Sequence, residues 1–364
     1  MNTLFDIFNS IQSNLFPWLE EELDALSEKE QKFIKVVSLL DLGKHMKEYM
    51  GCGVGRKRKS RSSLAKAFVA KAVYNFETTD ILIEYLKGCK NLRRLCGWEH
   101  RWSVPSKSTF SRSFSEFTEK ELLQKIHEAM IKTHYDSKLA GHVSRDSTAI
   151  EAREKPAKKT NLLSITKRKR GRPRKGEKVD PKPPKRLDLQ ADRSLEDNIS
   201  DLPTPCDVGS KINSKGYKTS WRGYKLHLDC IDGDIPVSAI LSSASLHDSQ
   251  VAIPLAQMTK ERITSLYDLM DSAYDAPQIK DFSRKLGHVP IIDHNPRRNG
   301  EKIQMDLATK TRFNQRTSAE RVNSYLKDNY GGNNIRVKGS KKVMTHLMFG
   351  VVVITAMQLY RLLL

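Results

Sequence analysis

The chain has 364 residues, a formal net charge of +20 and a pI near 9.6. That length can bury a sizeable core in two or three domains, and the charge points to nucleic acid as partner before an anionic membrane surface. Cys52, Cys89, Cys96, Cys206 and Cys230 are scattered with no C-x-x-C pair, which argues against a zinc ribbon or a disulfide framework and fits a reducing cytoplasm.

Residues 1–136 read as all-helical. Apolar residues recur at helical spacing over Glu30–Met50 and Leu64–Tyr74, with further segments at Asp80–Leu86 and Glu119–His134. Between the first two lies a glycine-rich hinge followed by a basic cluster, Arg56 to Arg61. Cys96-Gly97-Trp98 reads as a turn, and the segment Val104–Phe114 starts a helix with Ser106 as its N-cap after Pro105. This pair of short helices is either a helix-turn-helix entering a DNA groove or part of a plain bundle. The start, MNTLFDIFNS, lacks a basic region and a long apolar run, so no leader is expected. The longest greasy run, Leu347 to Met357, is shorter than the about 20 residues that span a bilayer and reads as a core helix. A soluble chain with no membrane partner is expected.

From residue 137 to 364 the pattern becomes α/β. His142–Ile150 is a candidate strand carrying Asp146. Tyr224, Leu226, Leu228 and Cys230 alternate with Lys225, His227 and Asp229, which predicts a strand with one buried face. Asp232-Gly233 is a hairpin turn into a second strand, Ile235–Leu241. A helix is expected over Ser249–Glu261, a strand over Thr264–Met270 that delivers Asp271, a helix over Ala276–Leu286 and a fifth strand over Val289–Asp293. The order describes a mixed five-stranded sheet flanked by helices.

A polar insertion at about 151–215 interrupts this pattern. Lys155–Arg186 holds fourteen lysines and arginines against Glu177 and Asp180, a net +12 of the whole chain's +20, and cannot build a core, so it is expected to be disordered in isolation. Its centre, Arg170-Gly171-Arg172-Pro173-Arg174, resembles an AT-hook, in which glycine lets the backbone approach the minor-groove floor and proline keeps it extended. A generic basic linker gripping phosphates is the competing reading.

The last motif runs from Phe313 to Lys327 and predicts one helix, stopped by Gly331-Gly332. At about 100° per residue Phe313, Arg316, Glu320 and Lys327 fall within roughly 60° of one another, opposite Ala319, Val322, Tyr325 and Leu326. Taken one at a time, Asp146, Asp271 and Glu320 are ordinary cap, turn or ion-pair residues. Jointly, two strand-end aspartates and a glutamate on a helix across the sheet suit a pair of Mg²⁺ ions roughly 3.5–4 Å apart.

Phe313-x2-Arg316-x3-Glu320-x6-Lys327 resembles the Tyr-x2-Arg-x3-Glu-x6-Lys signature of bacterial DDE-type insertion-sequence transposases of the insertion-sequence four and five group. Asp146-Ser-Thr and Asp271-Ser-Ala-Tyr-Asp resemble that family's first two acidic motifs. Trp221-Arg-Gly-Tyr-Lys-Leu-His227 and Ala244-Ser-Leu-His-Asp-Ser249 are similar to segments between them, and Leu95–Gly97 with Val104–Phe114 to its helical N-terminal region. The resemblance implies an RNase H-like catalytic domain preceded by a DNA-binding and assembly domain. It implies a catalytic triad of Asp146, Asp271 and Glu320 binding two Mg²⁺, with Mn²⁺ as substitute, and cleavage and strand transfer at terminal inverted repeats. Arg316, Lys327 and Phe313 would contact DNA, and His247 and Asp248 would support the acids. Double-stranded DNA is the implied partner, for a homodimer in a synaptic complex in the prokaryotic cytoplasm at the nucleoid, with no nucleotide cofactor. Phe313 stands where the signature has tyrosine, and the span from Asp271 to Glu320 leaves no room for the inserted β-domain some relatives carry. Rival readings are a non-catalytic AT-hook DNA-binding protein, an RNase H-like repair nuclease, and a tyrosine recombinase using Arg336, His346 and Tyr360. The last lacks the His-x-x-Arg pair its chemistry wants.

Overall fold

The computed structural model describes residues 10–46, 58–135, 138–157, 184–212, 216–296 and 300–362. The glycine hinge with the start of its basic cluster, and the Arg170–Arg174 core, lie outside the described residues.

Among the described residues eight α-helices precede the sheet: α1 (Phe16–Glu22), α2 (Glu28–Leu40), α3 (Leu42–His45), α4 (Arg61–Val73), α5 (Thr79–Gly88), α6 (Lys90–Leu95), α7 (Lys107–Glu119) and α8 (Leu122–Tyr135). Their starts follow local chemistry. Ser27 and Glu30 close a capping box on α2, and Ser60 and Thr78 cap α4 and α5. Arg61, from the basic cluster, is bound by Glu116 of α7 at 2.6 Å. Helix α7 buries Phe110, Phe114 and Phe117 and leaves Lys107, Ser108, Ser111 and Arg112 to solvent.

Among the described residues the sheet has six strands, one more than the pattern suggests: β1 (Leu139–Glu151), β2 (Asp207–Ile212), β3 (Lys218–Ile231), β4 (Ile235–Ser243), β5 (Thr264–Met270) and β6 (Val289–Ile292). β1 runs antiparallel to β3 and parallel to β5, which is parallel to β6. Along its other edge β3 pairs first with β2 and then with β4. The result is a mixed sheet of RNase H-like type. The added strand comes from the stretch expected to be disordered. Residues 186–212 instead form α9 (Arg186–Gln190), α10 (Leu195–Ser200) and β2. Helices α9 and α10 pack on α11 (Ser249–Lys260), and β2 is held by backbone pairing to β3.

β3 also departs from the single buried face. His227 and Asp229 are as deeply buried as Leu226 and Leu228, because α11 covers the second face and the polar side chains bond to one another there. α12 (Pro277–Lys285) leads into β6. The expected single helix from Phe313 is broken: α13 (Leu307–Phe313) passes through a 3-10 turn, Asn314–Arg316, into α14 (Thr317–Asn329). Ser144 of β1 donates to the Gln315 carbonyl at 3.0 Å, and Ser318 to the Ile231 carbonyl at 3.1 Å, pinning the break to the sheet.

The last helix, α15 (Ser340–Arg361), is long and apolar enough to cross a membrane, yet 83% of its apolar window is buried in protein. It packs on α2, α4, α7, α8 and β4, so the N-terminal helices and one face of the sheet share a hydrophobic core. A Cβ on Gly350 would stand 2.7 Å from the Tyr330 carbonyl oxygen, so a glycine is what lets α15 approach the end of α14.

A candidate acidic site beside the end of β5

Arg145 of β1 is paired with Met270 of β5. One step on, Asp146 and Asp271 therefore lie side by side where β5 ends, but Asp146 is not the strand-end residue expected, because β1 continues along β3 to Glu151. Side chains alternate along a strand, so Asp146 looks away from the Arg145 face, toward α14. That helix packs on β1 and β3 and carries Glu320 on its first turn.

The acids influence one another. Burial pushes the Asp146 carboxyl up to about 6, with the Asp271 and Glu320 charges adding and the Ser147 N–H and Arg316 opposing. Asp271 is also raised, by burial first, with Asp248 and Asp293 adding and the Ala273 N–H and Arg316 opposing. The Asp271 side chain caps the following turn, accepting from the Ala273 N–H at 2.9 Å, so the ordinary role of a strand-end aspartate is present as well. Glu320 accepts from Arg316 Nη2 at 2.5 Å, and the same guanidinium sits 5.6 Å from the Phe313 ring centroid. Phe313, Arg316 and Glu320 therefore form one chain of contacts despite the broken helix. Lys327 lies two turns beyond Glu320; burial lowers its ammonium, Lys211 adds to that, and Asp146 is among the acids that oppose it.

Asp248 stands beside this cluster. Lys225 donates to it at 2.8 Å, and although burial works to raise its carboxyl, His227 and Lys225 hold it low. Its neighbour His247 bonds Ser249 at 2.8 Å. Three participants escaped the sequence reading. Asn323, one turn after Glu320, donates to Asp146 at 3.0 Å. Lys225 lay in a recognised segment without a role. Tyr274 buries its hydroxyl with no hydrogen-bond partner among the described residues, and its phenol is raised by burial first and then by Asp248, Asp146 and Asp271. The i,i+3 spacing to Glu320 was the available signal for Asn323.

Among the described residues no three His, Cys, Asp or Glu side chains stand within reach of a single ion, and Glu320 is turned to Arg316. The donor set nevertheless fits a hard divalent cation. Asp146 and Asp271 are raised by burial, and the Tyr274 hydroxyl and the Asn323 Oδ1 are buried with no hydrogen-bond partner among the described residues.

Two family models match the chain. The first, described as Transposase DDE domain, covers residues 141–355, from β1 into α15 and across all three acids. The second, described as Transposase domain (DUF772), covers residues 21–116. No curated protein matches the chain.

Proposed function

The chain belongs to the family of DDE-domain transposases, and we propose that it cuts DNA at the terminal inverted repeats of an insertion sequence and joins the freed ends to new DNA. Asp146, Asp271 and Glu320 would hold two Mg²⁺ or Mn²⁺ ions. The observation that carries this reading is the pair of raised carboxyls formed by Asp146, inside β1, and Asp271, just past the end of β5, with the Glu320 helix across it.

In the proposed reaction water attacks a phosphodiester and the 3′-oxygen leaves. The freed 3′-hydroxyl then attacks a second phosphodiester, whose own 3′-oxygen departs. Ions bound at the acids would supply charge stabilisation to the reacting phosphate and ease loss of the nucleophile's proton. The protein's part is placement. Arg316 is within reach of both Glu320 and Phe313, so a strand phosphate that takes up the guanidinium would free Glu320 to join the aspartates. Asn323 fixes the Asp146 carboxylate, and Lys225 holds Asp248 charged behind it. Lys327 grips phosphate further along the same helix. The exposed Lys107 and Arg112 of α7 suit the N-terminal helices to a DNA-binding role.

Glu320→Gln is the test. Cleavage of inverted-repeat ends in Mg²⁺ should fall by roughly 10³-fold or more, while duplex affinity changes little; retained cleavage would reject the assignment. The Arg170–Arg174 core is proposed to sit in A·T-rich minor groove. Arg172→Ala should then weaken A·T-rich duplex by about 1 kcal/mol more than G·C-rich duplex, and equal losses would leave only a phosphate-gripping linker.

A further inference from the structure

Toward its start β3 outruns its neighbours. β1 pairs with it no further than Gly223, opposite Glu151, and β4 no further than Tyr224, opposite Ser243. Past that point only β2 accompanies it, from Val208 opposite Arg222 to Ile212 opposite Lys218. These residue pairs leave the sheet as a two-stranded ribbon about 17 Å long at 3.3 Å per residue. Its root is packed. Gly209 makes room for the Trp221 ring, a Cβ there standing 2.7 Å from the Ala244 carbonyl oxygen, and Trp221 Nε1 donates to the Tyr224 carbonyl at 3.0 Å. Beyond Trp221 every described residue of the ribbon is exposed, Ile212 included. A two-stranded ribbon is marginal in water by itself, so this one has reason to find a partner.

The charge of that exposed surface has one sign. Residues 208–222 contain Lys211, Lys215, Lys218 and Arg222 and no Asp or Glu. Lys211, Lys218 and Arg222 form no ion pair among the described residues. Of the acids at the root, Asp207 accepts from the Val208 N–H at 2.8 Å and from Ser245 at 2.5 Å, and Glu154 from Tyr224 and from the Gly339 N–H, while Glu151 is exposed. Ser210, Thr219 and Ser220 add exposed hydroxyl donors. Strand alternation puts Lys218 and Arg222 on one face of the ribbon and Lys211 on the other. Lys211 also lies near α14, where after burial it is the next cause lowering the Lys327 ammonium.

Resting on the transposase reading above, we propose that this ribbon enters the major groove of the duplex flanking the cut, with Lys211, Lys218 and Arg222 against the phosphates on either side. Cations on both faces suit a groove with a phosphate strand at each wall, whereas a ribbon laid along one strand needs them on one face only. The major groove, about 12 Å wide, admits two β-strands, and the undistorted minor groove, about 6 Å, does not. The position of the contact follows from the strands. Asp146 precedes Glu151, where the ribbon begins, by five residues of β1, about 17 Å, and the far end of the ribbon lies about 17 Å further on. At 3.4 Å per base pair the contact falls about five to ten base pairs from the cut. A second copy of the chain pairing along the free edge of β2 would use the same strand, and the test separates it from DNA.

The test is hydroxyl-radical footprinting of the full chain on an inverted-repeat end duplex, with Glu320→Gln present throughout so that the DNA stays intact. Protection is expected about five to ten base pairs from the cut, and methylation of guanine N7 there, in the major groove, should interfere with binding. Lys211→Ala/Lys218→Ala/Arg222→Ala, altered only at exposed positions, should remove that protection and leave the rest of the footprint. Binding should weaken by about tenfold, and the slope of log affinity against log salt should fall by about one per residue. Lys211→Arg/Lys218→Arg/Arg222→Lys should keep the protection, which guards against a folding defect. An unchanged footprint in the alanine variant would overturn the proposal, as would binding indifferent to N7 methylation. So would an alanine variant whose DNA-free chain sediments as a smaller species than wild type, which would assign the edge to a second copy. Cleavage of the same duplex by wild type in Mg²⁺ tests the transposase reading separately, so failure of the ribbon and failure of that reading give different results.

Discussion

Arg145 and Asp146 are neighbours on β1, yet they face opposite sides of the sheet and meet opposite electrostatic conditions. On the Arg145 side every charge has a partner, although burial still raises the Asp229 carboxyl against the pull of Arg145 and Thr259. The guanidinium donates to both Asp229 oxygens, at 2.8 and 2.6 Å, and Thr259 donates to Asp229 at 2.7 Å. Asp268 accepts from Ser283 at 2.6 Å and stands 3.2 Å from His288. Burial works to raise Asp268, but His288 and Arg145 outweigh it and hold it low. On the Asp146 side the carboxyl is driven up to about 6, and Asp271 rises with it. Both sets of acids are enclosed by the same fold. Those that the protein satisfies hold the sheet and its helices together, and those that it leaves short of positive charge are the ones to assign to a ligand.

The contrast can be broken most directly by removing one acid from each side. Asp229→Asn leaves Arg145 buried without its counter-charge and should cost about 3–5 kcal/mol of unfolding free energy in a denaturant titration. Asp146→Asn should cost nothing or add about 1 kcal/mol, because it removes a carboxylate the fold disfavours. Equal losses would erase the distinction between the two faces.

A smaller effect concerns pH. The buried His127 lies 3.0 Å from the Pro236 carbonyl oxygen and is pushed to about 3, first by burial and then by Arg262, as His346 is pushed to about 4. Both are lower than the unfolded value of about 6.5. Between about pH 6.5 and 4 the unfolded chain therefore binds more protons, and stability should fall with falling pH by roughly 1.4 kcal/mol per pH unit for each histidine. His127→Gln should reduce that slope in melts recorded across this window. An unchanged slope would move acid sensitivity away from the core histidines.

Much of this molecule was legible in its sequence where the side-chain pattern and the fold ask for the same thing. The strand Thr264–Met270, the Asp232-Gly233 hairpin and the helix start after Ser106 belong to that class, although the Ser106 side chain makes no capping bond. The reading failed where partners come from elsewhere in the chain. β2 exposes most of its residues and is held by backbone pairing to β3, which leaves no apolar alternation to detect. α9 and α10 bury Gln190 and Asn198, which bond Gln250 and Gln257 and read as linker until α11 is beside them. His227 and Asp229 imitate a solvated strand face because their partners, Ser242, Arg145 and Thr259, are distant in sequence or on another element. At the acidic site the three carboxylates could be named from their motifs. The i,i+4 spacing also allowed the Arg316–Glu320 pair, but not the 3-10 turn, pinned by Ser144, at which the helix breaks.

The central claim is that Asp146 and Asp271, with Glu320, are acids awaiting divalent ions. The most direct test is Mn²⁺ binding to the full chain, followed by electron paramagnetic resonance in wild type, Asp146→Asn and Asp271→Asn. The account predicts saturable binding in wild type and a loss of at least about tenfold in affinity in either variant; Mn²⁺ bound as tightly by Asp146→Asn as by wild type would contradict it.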